Sequence, residues 1–175
     1  MKIKKDYLEI VYDENIRPFT SYPNKLTKHL YKKFNLKTNE KILDIGCGRG
    51  ECLTGFHKCG MNVYGIDQSD VSKKNYPEIN FKFCDLMSEK IPFEDEFFDV
   101  IFSKSLVEHF YYPEKIFQEM NRILKKDGKI ITMTPDWEFN YKIFYEDYTH
   151  RTPFSKDSLR DIHLINGFKE VKIFS

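Results

Sequence analysis

The sequence has no long hydrophobic run and no excess of charge of one sign. No apolar stretch approaches the roughly 20 residues that a membrane-spanning helix needs, and the opening MKIKKDYLEIVYDE lacks the apolar centre of a signal peptide. Lysine and arginine number 28 against 27 aspartates and glutamates, which leaves a net charge of +1. We therefore expect a cytoplasmic protein that binds no nucleic acid and has no membrane span, with a small molecule as its partner.

Cysteine is also scarce. The four cysteines, Cys47, Cys52, Cys59 and Cys84, lack the paired C-x-x-C spacing that is typical of zinc sites. Reduced, buried thiols are the favoured interpretation in a cytoplasmic chain, so the sequence predicts no metal site. Cys47 stands inside a glycine-rich loop and could contact a ligand there.

Short runs rich in Ile, Val and Phe alternate with helical patterns along the chain. Apolar residues at helical spacing predict a helix over residues 113–125 with Gly128 as its terminator, and a second helix from the N-cap Ser155 to Asn166 and Gly167. Strands separated by helices predict an α/β fold with a doubly wound, mainly parallel Rossmann-like sheet and helices on both faces. The strands are predicted at residues 41–45, 62–66, 80–84, 98–102, 129–134 and 169–174.

The segment ILDIGCGRGE joins the first predicted strand to three glycines at every second position, Gly46, Gly48 and Gly50. Glycine permits positive φ and lets a ligand lie against backbone N–H groups at the start of a helix. The segment therefore predicts a cofactor site. Its G-x-G-x-G spacing differs from the G-x-G-x-x-G of dinucleotide-binding enzymes, because Glu51 occupies the place of the third glycine, and this disfavours NAD.

Asp67 ends the second predicted strand, 19 residues after Gly48. An acidic residue about 20 residues beyond a glycine loop binds ribose hydroxyls in nucleotide-binding folds, so this position indicates a ribose in the ligand. The alternative is that Asp67 only caps the helix that follows.

Several segments between residues 41 and 135 occur in a fixed order: ILDIGCGRGE, VYGIDQS, FKFCDL and IPFEDEFFDVIFSKSLVEHF, completed by EMNRILKKDGKIITMTP. In this order they resemble the class I S-adenosylmethionine-dependent methyltransferases, in particular the small-molecule branch that includes the ubiquinone and menaquinone enzymes. The resemblance implies S-adenosyl-L-methionine as cofactor and methyl transfer to a small-molecule acceptor.

The resemblance also implies a cofactor site. Asp44 and the glycine loop would hold the amino acid end of the cofactor, Asp67 the ribose hydroxyls and Asp85 the adenine, while Ser103 would offer a backbone carbonyl near the ammonium. Carboxylates suit a ligand that carries an ammonium, a sulfonium and a diol but no phosphate. The alternatives are a helix cap for Asp44 and a turn residue for Asp85. The complete predicted set is Asp44, Gly46, Cys47, Gly48, Gly50, Asp67, Gln68, Asp85, Leu86 and Ser103.

The length of 175 residues suits one domain. We expect a single methyltransferase domain over residues 1–175, with an N-terminal helical lid at 1–38 and a cofactor-binding core at 39–135. Residues 136–175 would hold the substrate-side loop, the last helix and the last strand. The family's sheet usually finishes with a seventh, antiparallel strand, which we expect to be absent from this chain because it stops at the sixth.

The loop DWEFNYKIFYEDYTHRTPF, residues 136–154, contains seven aromatic residues. Aromatic faces with a few polar groups are typical of a small-molecule pocket. The run EDYTHRTPFS resembles a D-x-T-H-x-x-x-[FY]-S element of family members that act on sugars and on cell-envelope or natural-product intermediates. The predicted substrate contacts are Trp137, Asp147, Tyr148 and Arg151.

His109 and His150 are the candidate catalytic residues, since a histidine can take the proton of an oxygen nucleophile at neutral pH. The alternatives are that His109 is packed beneath the cofactor and that His150 is a loop histidine bonded to backbone. Two other functions stay open. One is a cofactor-binding module without activity, which the absent seventh strand would favour, and the other is an NAD-dependent oxidoreductase, which the glycine spacing disfavours.

Overall fold

The computed structural model describes residues 7–174. The chain folds as two compact units, the first ending at Asp85 and the second beginning at Leu86. Within the described part of the chain, no helix has both the length and the apolar character needed to span a bilayer.

The first unit alternates helices with three parallel strands. Strand β1 pairs with β2, and β2 pairs with β3. In chain order its elements are α1 (Tyr7–Val11), α2 (Tyr22–Lys33), β1 (Lys41–Ile45), α3 (Glu51–Lys58), β2 (Asn62–Asp67), α4 (Val71–Asn75) and β3 (Asn80–Phe83).

Burial on both faces explains why β1 forms where the sequence predicts it. Ile42, Leu43 and Ile45 are fully buried, as expected for a mainly apolar strand inside a parallel sheet. Helix α3 lies close to β2, because a Cβ added to Gly65 would lie 2.6 Å from Cδ1 of Leu53. The small residue in β2 therefore lets the helix that follows the glycine loop approach the sheet.

The second unit holds the other two strands, β4 and β5, which are also parallel, with an irregularity between Phe98 and Val100. Helix α7 begins with a capping box in which Ser155 and Ser158 bond reciprocally. The elements are β4 (Phe98–Lys104), a 3₁₀ turn (Val107–His109), α5 (Glu114–Ile123), β5 (Leu124–Met133), α6 (Trp137–Asn140), a second 3₁₀ turn (Phe144–Glu146) and α7 (Lys156–Ile165).

The strands of the first unit lie in the order β3-β2-β1, and in the second unit β4 lies beside β5. This order and the parallel pairings confirm the predicted α/β class with a Rossmann-like sheet. Three of the predicted strands match to within one residue, at β1, β2 and β3, and the predicted fourth strand extends two residues further, to Lys104.

Three predicted elements differ from the structure, namely the end of α5, the start of β5, which lies at Leu124 and not at residue 129, and the sixth strand. Helix α5 ends at Ile123 because Leu124 already has extended backbone angles, and the left-handed residue nearby is Asp127, with a φ of 60°, and not Gly128. No strand is assigned between residues 169 and 174. Glu170, with a φ of 52°, lies outside the β region, and the alternation of half-buried Val171 and Ile173 alone does not supply a hydrogen-bonded neighbour.

The packing of α2 on α3 rests on a glycine. A Cβ added to Gly55 would lie 2.2 Å from Oγ1 and 3.0 Å from Cβ of Thr27. Thr27 is fully buried, and its hydroxyl donates to the carbonyl of Pro23 at 2.9 Å. Thr27 therefore has little freedom to move away.

We predict that Gly55→Ala lowers the free energy of unfolding by about 1 to 3 kcal/mol, because the clash exceeds the gain in helix propensity. Urea denaturation followed by circular dichroism measures the effect. In a Thr27→Ala background the same substitution should cost clearly less, since the hydroxyl and methyl group are gone. An equal cost in both backgrounds would contradict this account of the packing.

Candidate functional site

Three left-handed glycines shape the loop between β1 and α3. Gly46, Gly48 and Gly50 have φ angles of 72°, 52° and 84°, a region that other residues rarely adopt. A Cβ added to Gly50 would also lie 2.9 Å from the ring of Tyr76. The glycines are therefore required by the shape of the backbone in this loop.

Several N–H groups of the loop are used within the protein. Those of Gly46 and Cys47 both donate to the carbonyl of Ile66, at 2.9 and 3.1 Å, and that of Gly50 donates to the carbonyl of Cys47 at 2.9 Å. The N–H of Gly48 donates to Oδ2 of Asp67 at 2.8 Å. A ligand at these positions would meet Cα surface and carbonyl groups in place of the open N–H groups expected from the sequence.

Asp67 connects the end of β2 to the glycine loop. Its Oδ2 accepts from Gly48, and its Oδ1 accepts from the backbone N–H of Ser69 at 2.9 Å. This buried carboxylate therefore bridges the turns that follow β1 and β2. The alternative of a helix cap is not observed, because the N-cap position of α4 is occupied by Asp70.

Cys47 is a buried, protonated thiol. Burial raises its pKa well above the ordinary value, and the charges of Asp44 and Asp67 raise it further. The thiol donates to Oγ of Ser72 at 3.4 Å. Asp44, in β1, is itself only 3% exposed, so two carboxylates and a neutral thiol surround the start of the loop.

The other predicted cofactor residues differ in exposure. Gln68 is exposed, Asp85 and Leu86 are half-buried, and Ser103 in β4 is buried. The Oγ atoms of Ser103 and of Ser69 are buried with no hydrogen-bond partner among the described residues. Sequence reasoning missed Ser69, although its place two residues after Asp67 was a usable signal.

Arg49, also missed, holds the N-terminal segment on the glycine loop. Its Nη1 donates to the carbonyls of Tyr12 and Arg17 at 3.1 and 2.7 Å. Its Nε and Nη2 donate to Oε2 of Glu51 at 3.2 and 2.9 Å, and its guanidinium lies 4.3 Å from the ring centre of Phe19. Glu51, which replaces the third glycine of the dinucleotide fingerprint, thus orients a buried arginine.

These contacts bear on the N-terminal segment predicted as a helical lid, residues 1–38. Its described part contains α1 and α2. Cδ2 of Leu8 lies 4.0 Å from the position of a Cβ on Gly48. The segment therefore lies against the glycine loop, while its action as a lid stays a prediction.

A buried carboxylate and two histidines meet in the second unit. One possible metal-binding atom from each of Glu108, His109 and His150 lies within 4.8 Å of the other two. The rings of His109 and His150 cross at 65° with their centres 4.8 Å apart. The backbone carbonyl of Glu108 accepts from the N–H groups of Arg151 and Thr152, at 2.8 and 3.0 Å. The two candidate catalytic histidines are therefore brought together by this pair of backbone bonds.

Hydrogen bonds fix each side chain of this cluster. Nδ1 of His109 lies 2.9 Å from Oγ1 of Thr149, and Nδ1 of His150 lies 2.6 Å from the carbonyl of Phe144. Oε2 of Glu108 accepts from Thr134 at 3.0 Å. His150 thus makes the backbone hydrogen bond that the alternative interpretation, a loop histidine bonded to backbone, expects. It uses only one of its two ring nitrogens for this bond.

Burial also sets the charge of the cluster. It raises the pKa of Glu108 and lowers the pKa of His109, which the neighbouring His150 lowers further. The imidazole of His109 is therefore neutral at neutral pH. Sequence reasoning missed Glu108, because its importance depends on a loop some 40 residues further along the chain.

The predicted substrate residues occupy different places. Asp147 accepts from the hydroxyl of Thr149 at 2.6 Å, which makes it a support of His109. Arg151 lies over the ring of Tyr111 at 5.1 Å, and Tyr148 is exposed. Trp137 stacks edge-on against Phe144, with ring centres 5.7 Å apart. Asp147 and Arg151 both join the histidine cluster, since Arg151 donates its N–H to the carbonyl of Glu108 and its Nη1 to the carbonyl of His150, at 2.8 and 3.0 Å. The substrate contacts of all four residues stay predictions.

Comparison with known proteins adds independent information. A family model described as a methyltransferase domain matches residues 43–132. A sterol 4-C-methyltransferase of Caenorhabditis elegans is 26% identical over 70% of this chain and 40% of its own length. A ubiquinone biosynthesis O-methyltransferase of Actinobacillus pleuropneumoniae is 32% identical over 61% of this chain and 50% of its own length. The chain thus spans half of these two relatives or less.

The fold also has counterparts among solved structures. The structure of a SAM-dependent methyltransferase from Archaeoglobus fulgidus superimposes with a TM-score of 0.76 at 25% identity. The match covers 95% of this chain and 76% of that one. The likeness therefore extends over nearly the whole chain, including both described units.

We predict that Arg49→Lys releases the N-terminal segment, because a lysine cannot replace the bonds to two carbonyls and a carboxylate at once. Chymotrypsin should cleave after Phe19, whose ring lies beneath the Arg49 guanidinium, faster than in the parent protein, as followed by mass spectrometry. The free energy of unfolding should fall by about 1 to 3 kcal/mol.

The matched control is Arg160→Lys in α7, whose exposed guanidinium pairs with Asp157 and Asp161. This variant should be cleaved by chymotrypsin after Phe19 at the parental rate. If Arg49→Lys is also cleaved at that rate, the segment is held by contacts other than those of Arg49.

Proposed function

Because the chain belongs to the family of methyltransferase domains, we propose that it transfers a methyl group from S-adenosyl-L-methionine to a small-molecule acceptor. The observation that carries this proposal is the bridge between Asp67 and Gly48 beside buried Asp44, within the stretch matched by the family. It puts two carboxylates next to a backbone surface without side chains.

The carboxylates of Asp44 and Asp67 suit this cofactor. S-adenosylmethionine is a cation at its ammonium and its sulfonium, and it would supply an electrophilic methyl group. Asp44 would accept from the ammonium. The carboxylate of Asp67 already accepts two N–H groups, and since a carboxylate has about four lone-pair sites it can also accept from a ribose diol. The unpartnered hydroxyl of Ser69 offers a further polar contact at the same turn.

The same loop argues against a dinucleotide. A pyrophosphate needs backbone N–H groups that point at the ligand from the loop and the helix start. In this chain the N–H groups of Gly46, Cys47, Gly48 and Gly50 already have protein acceptors. Asp44 and Asp67 would moreover repel a phosphate. The oxidoreductase alternative is therefore disfavoured by geometry as well as by glycine spacing.

The histidine cluster is our candidate for the acceptor side. A methyl transfer to oxygen needs the acceptor positioned in line with the methyl group and its proton removed. Glu108, His109 and His150 offer acceptor atoms within one small region, next to the aromatic side chains of Trp137 and Phe144. This combination favours a hydroxyl-bearing molecule such as a sugar, an envelope intermediate or a natural product.

The relatives themselves act on different atoms. One is named for methylation of a sterol carbon and another for methylation of an oxygen in ubiquinone biosynthesis. Our choice of a hydroxyl therefore rests on the histidine cluster and not on them. The net charge of +1 supports a small-molecule acceptor over a nucleic acid.

We predict that the protein binds S-adenosylmethionine and that Asp67→Asn weakens this binding at least about tenfold, because a charge-assisted hydrogen bond is lost. Isothermal titration calorimetry measures both affinities, with NAD titrated separately. Asp70→Asn is the control, since Asp70 is exposed and pairs with Lys74, and it should bind as the parent does. Equal affinity of Asp67→Asn, or binding of NAD in place of the methyl donor, would contradict the assignment.

We further predict that His150→Ala reduces methyl transfer by about 10² to 10⁴-fold without changing cofactor affinity, as expected for a group that acts on the acceptor proton. Release of S-adenosylhomocysteine in the presence of a panel of sugars and phenols measures turnover. His57→Ala, an exposed histidine of α3, should be fully active. Cofactor binding without turnover on any acceptor would instead favour a binding module without activity.

A further inference from the structure

We propose that Glu108, His109 and His150 bind one divalent transition-metal ion, with Zn²⁺ as the best fit. The three side chains belong to the second unit, and one possible ligand atom of each lies within 4.8 Å of the others. Two imidazoles and one carboxylate form a ligand set found in zinc and non-haem iron sites. The sequence predicted no metal site, because only the cysteine spacing was considered.

The tautomer of His150 follows from its bond to backbone. A carbonyl oxygen can only accept, so Nδ1 of His150, 2.6 Å from the carbonyl of Phe144, must carry the hydrogen. In the neutral form of the ring, the lone pair is then on Nε2. This is the arrangement in which metal-binding histidines are usually held, with the other ring N–H donated to a carbonyl or a carboxylate.

The tautomer of His109 follows from a chain of two bonds. The hydroxyl of Thr149 lies 2.6 Å from Oδ1 of Asp147, and an ionised carboxylate can only accept, so the hydroxyl hydrogen points to Asp147. The same oxygen must then accept from Nδ1 of His109, 2.9 Å away. His109 therefore also has its lone pair on Nε2, and Thr149 and Asp147 orient the ring.

Glu108 supplies the third lone pair. Its side chain is fully buried, and its Oε1 has no hydrogen-bond partner among the described residues, while Oε2 accepts from Thr134. A buried carboxylate oxygen without a donor is costly. Each of the three side chains thus has a lone pair with no donor among the described residues, and one cation placed where ligand atoms of all three come within 4.8 Å of one another would satisfy them.

The site has to tighten around an ion. A tetrahedral ion about 2.1 Å from each ligand places the ligands about 3.4 Å apart, so a pair separated by the full 4.8 Å has to move together by more than about 1 Å. Mg²⁺ prefers oxygen ligands and is a poorer fit to two imidazoles than Zn²⁺. Three protein ligands also leave a coordination position open.

The open position suggests what the ion does, and this step rests on the proposed methyl transfer. A bound acceptor hydroxyl would be held in place and its pKa lowered, so that its proton passes to solvent before transfer. His150 would then be a metal ligand in place of the proton acceptor predicted from the sequence. Its alanine variant would lose activity in either case, so activity alone does not decide between the two roles.

Calorimetric titration of the metal-free full-length chain with Zn²⁺ tests the site directly. We expect one ion per chain. Glu108→Gln, which keeps the side-chain volume, and His150→Ala should each weaken binding by at least about 100-fold, and Thr149→Val, which only removes the support of His109, by about 10 to 100-fold. His57→Ala should bind as the parent does. Circular dichroism establishes that each variant is folded.

Two results would overturn the proposal. If Glu108→Gln and His150→Ala bind Zn²⁺ like the parent, the ion is held elsewhere, for example by the free thiols. If the folded parent shows no saturable binding of Zn²⁺ below about 1 mM, the three lone pairs are satisfied by a shared proton. Neither result depends on turnover or on cofactor binding, so failure of the metal site and failure of the proposed function are separable.

Discussion

The carboxylate of Asp67 is the contact on which the cofactor side of this protein depends. It accepts from Gly48 with one oxygen and from Ser69 with the other, so the turns after two neighbouring parallel strands are fixed to each other. The glycine loop can keep its three left-handed residues because the N–H groups that this shape exposes are bonded within the protein. These internal bonds hold the loop in its shape, and a loop held in this way limits the entropic cost of binding.

The second unit uses the same principle with different groups. Backbone bonds from Arg151 and Thr152 to Glu108 bring a loop histidine to the turn after β4, and one further bond to each ring fixes its tautomer. In both units, supporting polar groups orient the side chains for which we propose a role in binding or catalysis. Such supporting contacts are what keeps a site rigid enough for chemistry.

The sequence predicted well those parts whose signal is local. β1 was found at its observed bounds because Ile42, Leu43 and Ile45 form a short apolar run around Asp44, and the start of α7 because Ser155 is a strong N-cap. The prediction from sequence failed where contacts between distant parts of the chain determine the local structure. Residues 125–128 were predicted as the end of a helix and its terminator, but they lie within β5. Residues 169–174 have the alternation of a strand but no strand partner. Arg49 and Glu108 escaped notice because their partners lie tens of residues away in the chain.

The central claim is that the Asp67 carboxylate and the glycine loop form the site of an adenosyl cofactor. A crystal structure of the protein with S-adenosylhomocysteine tests this most directly. Our account predicts the ribose hydroxyls within hydrogen-bond distance of Asp67, with its bonds to Gly48 and Ser69 intact. A cofactor bound elsewhere, or a glycine loop that has to open its bond to Asp67 before the ribose can bind, would contradict it.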